Sequence, residues 1–236
     1  YMFVAPADHH ISNTQQFTRD IKEACEFINQ EYGLLTLGIL PSRPDTGYGY
    51  IKYKLLEDST NEIYTVEQFV EKPDFNTALS YLNSGNYLWN SGMFLWKTST
   101  ILNELKLHTP EIYSAFENNS SNSKMDILEI YKKCSSISID FAIMEKAKNV
   151  FVKMVDFGWS DLGTWGSLYE NSIHDQSANA LFGNNVIANN SNHCLIKNGE
   201  DKIIITEGIE NLIVINTTDA LLICNKNDEQ KIKQLL

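Results

Sequence analysis

Cysteine is scarce. The four present, Cys25, Cys134, Cys194 and Cys224, never come within a C-x-x-C spacing, which argues against a zinc site or a small disulfide scaffold. They read as reduced core residues. Net positive charge is missing too: 30 acidic against 19 basic residues leave -11, which disfavours loose attraction to nucleic acid or to an anionic membrane surface. An anionic ligand must therefore be held by a local cluster of lysine, arginine or metal. No apolar run approaches the roughly 20 residues of a membrane-spanning helix, and no charged start precedes an apolar signal region. These absences set the expectation of a soluble, cytoplasmic protein with no nucleic-acid and no membrane partner.

What is present suffices for a folded domain. A chain of 236 residues with 43% hydrophobic content can bury one substantial core, or one core and a smaller appended unit. The apolar run Tyr1 to Ala5, ending in Pro6-Ala7-Asp8-His9-His10, predicts a buried strand that finishes in a loop, and a start inside a core strand predicts a segment of a longer protein. Phe17, Ile21, Ala24, Cys25 and Ile28 recur at helical spacing between Asn13 and Tyr32, with Gly33 placed as a stop. Leu34 to Leu40 is again nearly all apolar. Strand, helix and strand in this order are the pattern of a parallel sheet covered by helices.

Two loops stand out chemically. Pro41 to Ile51 is rich in proline and glycine and must pass through a shaped connection before the next strand. Val150 to Val155 reads as a strand that empties into Asp156-Phe157-Gly158-Trp159-Ser160-Asp161-Leu162-Gly163-Thr164-Trp165. Between them lie a strand at Thr65 to Val70, a helix at Asn76 to Leu82 stopped near Gly85, an aromatic strand at Tyr87 to Trp96, and helices at Thr98 to Leu107, Asp126 to Lys132 and Ile139 to Ala147. The polar tract Asn118 to Ser123 reads as a surface loop. Beyond Ala178 the texture turns to short β segments separated by Asn, Gly and Asp turns, as in a few coils of a β-helix, and Asp228 to Leu236 reads as the start of a final helix. The domains expected are 1–177, an α/β sheet, and 178–236, a β-rich region.

Taken singly, the candidate residues are ambiguous: Asp8 could cap the following segment, Lys72 could be a solvated charge, and Asp161 could be a turn residue. In combination, Pro6-Ala7-Asp8-His9, Thr46-Gly47-Tyr48-Gly49-Tyr50-Ile51, Phe69-Val70-Glu71-Lys72-Pro73, Asn86 to Phe94, Ser138 to Lys146 and Gly158 to Trp165 resemble the ordered motif series of bacterial mannose-1-phosphate guanylyltransferases. They are most similar to the type fused to, or working beside, a mannose-6-phosphate isomerase module. That family opens on a Gly-rich loop of the form G-G-x-G-x-R-L followed by a Pro-Lys pair, and no such stretch occurs in these residues. Because such a loop cradles nucleotide phosphates, the chain as read is expected to lack much of the GTP site.

The resemblance implies an α/β fold, a Rossmann-like nucleotide-sugar transferase sheet covered by helices with a β-helix-like appendage, and a homodimer. It implies that GTP and mannose 1-phosphate become GDP-mannose and pyrophosphate with Mg²⁺. Asp8 and Asp161 become the metal ligands, Lys72 faces the sugar phosphate, Glu71 and Asn90 read sugar hydroxyls, and Gly49 lets backbone approach the hexose. Asp140, at a helix start, is expected to act first as an N-cap and to help order the sugar pocket. His9 is assigned no acid or base role, since the attacking phosphate is already ionised. A uridylyl- or thymidylyltransferase acting on glucose 1-phosphate, and a non-catalytic sugar-phosphate-binding subunit, remain the alternatives.

Overall fold

Helix α1, Thr14–Gln30, forms where the periodicity places it: Asn13 caps it by accepting from the Gln16 N–H at 3.0 Å, and Ala24 and Ile28 on its inner face are fully buried. The computed structural model describes residues 1–54, 62–117 and 127–234, so the tract expected as a loop at Asn118 to Ser123 lies outside the described residues. Two compact units make up the chain, one of Tyr1–Ala7 with Ile11–Trp159 and the other of Asp8–His10 with Ser160–Leu236.

In the first unit, α1 is followed by strand β3 (Leu34–Ile39) after β1 (Met2–Val4) and the short β2 (His10–Ile11). Then come β4 (Tyr50–Lys54), β5 (Ile63–Val70), helix α2 (Phe75–Ser84), β6 (Tyr87–Trp96), helices α3 (Thr98–His108), α4 (Pro110–Glu117) and α5 (Ile127–Lys133), and β7 (Val150–Val155). The strand order is β1-β6-β3-β7-β5-β4, with β4 also pairing with β6. Only β3 and β7 pair in parallel; β1–β6, β3–β6, β5–β7, β4–β5 and β4–β6 are antiparallel. The sheet covered by helices is present as expected, but the parallel pairing read from the strand–helix–strand order is confined to β3–β7, so the sheet is mixed. β1 and β3 do run the same way, but β6 sits between them.

Helices cover both faces of this sheet. Leu35, Leu37, Met93, Leu95 and Val155 bury one face against Ala24 and Ile28 of α1, while Leu34, Leu88, Phe94 and Val152 pack on the other with Ile101 of α3 and with Ala142, Ile143 and Met144. Each fully buried aliphatic side chain contributes on the order of 2 kcal/mol. Charged side chains are buried with them: Lys153 on β7 is 1% exposed and reaches Glu23 Oε2 at 2.7 Å and Oδ1 of the buried Asp20 at 3.6 Å, both on α1.

Three local expectations are corrected. β1 is an edge strand rather than a buried one: it pairs with β6, and Met2 and Phe3 are 45% and 38% exposed, because an apolar run does not reveal whether its strand is covered. Gly33 does not stop α1, which ends in the extended Glu31; a Cβ on Gly33 would lie 2.6 Å from the Asn149 carbonyl oxygen, so close approach to β7 demands the glycine there. The helix expected over Ile139 to Ala147 is a single π-helical turn, Asp140–Met144, with Ile139 in the cap position. By contrast, Gly85 ends α2 in the left-handed conformation expected of a helix stop.

The second unit begins with the end of strand β8 (Trp159–Ser160), a partner of β2, and helix α6 (Trp165–Glu170). Strands β9 (Ala180–Phe182), β11 (Leu195–Asn198) and β13 (Leu212–Asn216) stack in parallel, as do β10 (Val186–Asn189) and β12 (Ile204–Glu207). These are successive coils. Cys194, Ile196 and Val214 pack between the two stacks with Val186, Ala188 and Ile204. β14 (Leu221–Asn225) turns back antiparallel on β13, and the final helix expected from Asp228 is a 3₁₀ helix, Lys226–Gln234.

Candidate active site

The first unit gathers polar groups at one place through a bulge. Between Thr36 and Gly38 the β3–β6 register shifts, and Gly92, at φ +71°, lets β6 turn there. Ser91 donates to the Leu37 carbonyl at 2.7 Å, and the Asn90 side chain is turned out of the ladder. The Gly92 N–H donates to Asn90 Oδ1 at 3.2 Å, and the Thr36 hydroxyl lies 3.1 Å from the same oxygen. With its oxygen so engaged, the amide nitrogen faces away and donates to Asp140 Oδ1 at 3.1 Å. Asp140 is thus not an N-cap, as expected, but the acceptor of a residue far off in sequence.

Glu71 and Lys72 lie where β5 ends, and their side chains pair at 2.8 Å. Lys72 holds φ +47°, a left-handed conformation that a Cβ disfavours, and its side chain is 63% exposed. Glu71 lies against Gly49: a Cβ on Gly49 would collide with the Glu71 carboxylate, so the bare Cα gives that carboxylate its place. The Gly49 carbonyl accepts from the Asn90 N–H at 2.8 Å. Gly49, Glu71, Lys72, Asn90 and Asp140 therefore belong to one cluster. The loop leading to Gly49 is tied down by buried Asp45, which accepts from the Gly47 N–H at 2.8 Å and pairs with Arg43 at 2.9 Å.

Electrostatics follow from the crowding of carboxylates. Burial, and then the charge of Glu71, push the Asp140 pKa up from its ordinary value, against hydrogen bonds from Asn90 and Ser138 that pull it down. Glu145 is raised by burial and by the charges of Glu71 and Asp140. The Lys72 ammonium is raised by its hydrogen bond and ion pair with Glu71. Such a cluster offers several oxygen acceptors to a polyhydroxy ligand, with a cation at its rim. Thr36 and Glu145 were not anticipated; Thr36 was visible as the one polar residue in the run Leu34 to Leu40.

Asp8 and Asp161 both fall in the second unit. Asp161 directly follows β8 and Asp8 stands two residues before β2; the Ser12 N–H donates to the Gly158 carbonyl at 3.1 Å and that of Asn13 to Phe157 at 3.0 Å, so numbers rise along one strand as they fall along the other. Asp8–His10 and the residues from Ser160 onward belong to the same compact unit. The Asp161 loop is tight: its Oδ1 accepts from the Gly163 N–H at 2.9 Å, Ser160 Oγ accepts from the Leu162 N–H at 3.1 Å, and Leu162 holds φ +51°. Asp8 is exposed and Asp161 half-buried. Two hard carboxylate donors on neighbouring strand ends fit Mg²⁺ in their chemistry. No group of three or more His, Cys, Asp or Glu side chains that could hold a metal ion occurs among the described residues.

A mixed α/β sheet between helices in one unit and stacked parallel β coils in the other are the architecture of the nucleotidyl transferase family with a β-helix-like region. The chain belongs to the nucleotidyl transferase family, whose model matches residues 1–178, and the MannoseP isomerase/GMP-like beta-helix domain matches residues 184–236. It is 42% identical over 188 residues to a mannose-1-phosphate guanylyltransferase of Salmonella typhimurium, covering 77% of this chain and 39% of that one. It is 38% identical over 193 residues to a mannose-1-phosphate guanylyltransferase of Escherichia coli, covering 78% and 41%. The chain thus spans about two fifths of the length of these curated relatives. Among solved structures, a Thermus thermophilus protein described as a mannose-1-phosphate geranyltransferase aligns with TM-score 0.84 at 29% identity, covering 99% of this chain and 68% of that one.

Proposed function

We propose that this chain carries the nucleotidyl-transferring part of a mannose-1-phosphate guanylyltransferase. A phosphate oxygen of mannose 1-phosphate attacks the α-phosphorus of GTP in line, the bond to the β-phosphate's bridging oxygen breaks, and GDP-mannose and pyrophosphate result. The observation that carries this reading is the match of residues 1–178 to the family together with relatives of that name.

Two polyanions must be aligned against their own repulsion, so positioning and charge neutralisation are the enzyme's main work. Glu71 and Asn90 accept from and donate to hexose hydroxyls, Asp140 orders that pocket through Asn90, and Gly49 leaves room for Glu71 beside the sugar. Lys72 sets its ammonium toward the sugar phosphate as a compact charge. Asp8 and Asp161 would hold Mg²⁺, which when bound reduces repulsion between the phosphates and stabilises charge on the transferring group. No general base is required, because the attacking oxygen is ionised at neutral pH.

Residues 1–177 act here as the catalytic domain and 178–236 as its β-rich companion, in a cytoplasmic homodimer. Among the described residues no helix is long and apolar enough to cross a membrane. The test is a substrate matrix: full-length protein, Mg²⁺, mannose 1-phosphate or glucose 1-phosphate, and each of GTP, UTP and dTTP. GTP with mannose 1-phosphate should release pyrophosphate fastest. Preference for UTP or dTTP with glucose 1-phosphate would overturn the sugar and base assignment, and turnover with no pair would leave a sugar-phosphate-binding subunit.

A further inference from the structure

Behind the Asp161 loop lies a cavity of about 300 Å³ lined by Leu162, Gly163, Thr164, Trp165, Glu229 and Ile232. Glu229 and Ile232 come from the 3₁₀ helix Lys226–Gln234 that follows the last strand of the β coils. Glu229 does more than border the cavity: its Oε2 accepts from the Gly166 N–H at 2.6 Å, in the first turn of α6. A Cβ on Gly166 would stand 2.7 Å from Glu229 Oε1, so a larger residue there would push this carboxylate aside. Thr164 caps the same turn by accepting from the Ser167 N–H at 3.1 Å, so one side chain from within the loop and one from the C-terminal helix fix the start of α6 together. Three residues before that start stands Leu162, held at φ +51° with its N–H on Ser160 and followed by the Gly163 N–H that Asp161 accepts. A left-handed leucine persists only where its surroundings over-determine it.

We propose that Glu229 is a positioning residue for Asp161: by anchoring the Gly166 N–H it holds the strained loop 161–164 in the form that presents the Asp161 carboxylate to a divalent cation. The C-terminal helix thereby sets the metal affinity of a loop far upstream. This inference rests on the assignment of Asp161 as a metal ligand, and it concerns binding of the cation, not turnover.

The experiment measures Mn²⁺ binding to the full-length protein without substrates, by the loss of the free-ion electron paramagnetic resonance signal, with circular dichroism alongside to check folding. E229A should weaken Mn²⁺ about tenfold, no more than removal of a group bonded directly to a metal ligand costs. E229Q keeps an acceptor oxygen and should restore most of that affinity. G166A tests the same contact without touching the carboxylate: alanine favours a helix, so the variant folds, yet its Cβ displaces Glu229 and should weaken Mn²⁺ as E229A does. Wild-type Mn²⁺ affinity in E229A and in G166A overturns the proposal, as does equal loss in E229A and E229Q. If E229A fails to fold, G166A decides alone. Failure of the activity assignment shows itself separately, as wild-type protein that binds Mn²⁺ without forming GDP-mannose, and failure of the metal assignment as D161N that binds Mn²⁺ like wild type.

Discussion

Asn90 donates its amide nitrogen to Asp140 at 3.1 Å while its oxygen takes the Gly92 N–H at 3.2 Å, so a single side chain joins the bulge of β6 to the π-helical turn. Replacing it with alanine leaves a half-buried carboxylate without its amide donor. Asn90→Ala should cost about 1–3 kcal/mol in urea unfolding and raise the KM for mannose 1-phosphate more than it lowers kcat. An unchanged KM would remove the residue from the sugar pocket.

Asp140 and Glu145 both have raised folded-state pKa values, through burial and neighbouring negative charge. A carboxyl group with a raised folded pKa binds its proton more tightly in the folded chain than in the unfolded one. Stability should therefore fall as pH climbs from the ordinary carboxylate range through the raised values, and level off above them. Asp140→Asn keeps an acceptor for Asn90 without the charge. Its melting temperature should lose part of this slope and match or exceed wild type at neutral pH, while sugar-phosphate binding weakens; thermal scans across mildly acidic to neutral buffers check the sign.

Lys72 separates a chemical role from a conformational one. Lys72→Ala should raise the KM for the sugar phosphate and slow turnover, and steady-state kinetics against mannose 1-phosphate measure both. Lys72→Gly should lose the same function but relieve the φ +47° conformation, gaining about 1 kcal/mol of stability over the alanine variant.

Asp161→Asn should abolish Mg²⁺-dependent pyrophosphate release with little change in melting temperature, because the neutral amide can still accept from Gly163 but is a poor ligand for a hard cation. Full turnover in this variant would count against the metal assignment.

The buried charge on β7 makes a stability prediction independent of function. Lys153→Met strands Asp20, which is 3% exposed and whose pKa is already raised by burial, so the variant should lose about 3–5 kcal/mol. Pairing it with Asp20→Leu should recover most of the loss, since the partly exposed Glu23 can turn to water. Denaturant curves of the two variants decide this.

Much of this architecture can be read from pattern. The one-sided spacing from Phe17 to Ile28 yields α1, Gly85 marks the end of α2, and the Asn, Gly and Asp turns after Ala178 announce the coils. What pattern does not carry is partnership across long separations. Nothing local to Met2 or Phe3 says that their strand sits at an edge, and nothing near Asp140 says that Asn90 will claim it. Helical periodicity over four or five residues does not distinguish an α-turn from a π-turn at 140–144. Thr36 and Glu229 escaped for the same reason: each acts through a neighbour that only the folded chain supplies.

Asp8–His10 belongs with the C-terminal unit although the residues on either side of it belong with the other. During synthesis this tripeptide leaves the ribosome long before β8 exists to receive it, so it must wait, unmatched, until some hundred and fifty further residues have emerged. A shortened gene that stops before Ser160 would deprive it of that strand, and the aspartate assigned here to metal would lose its setting even where the larger sheet forms normally.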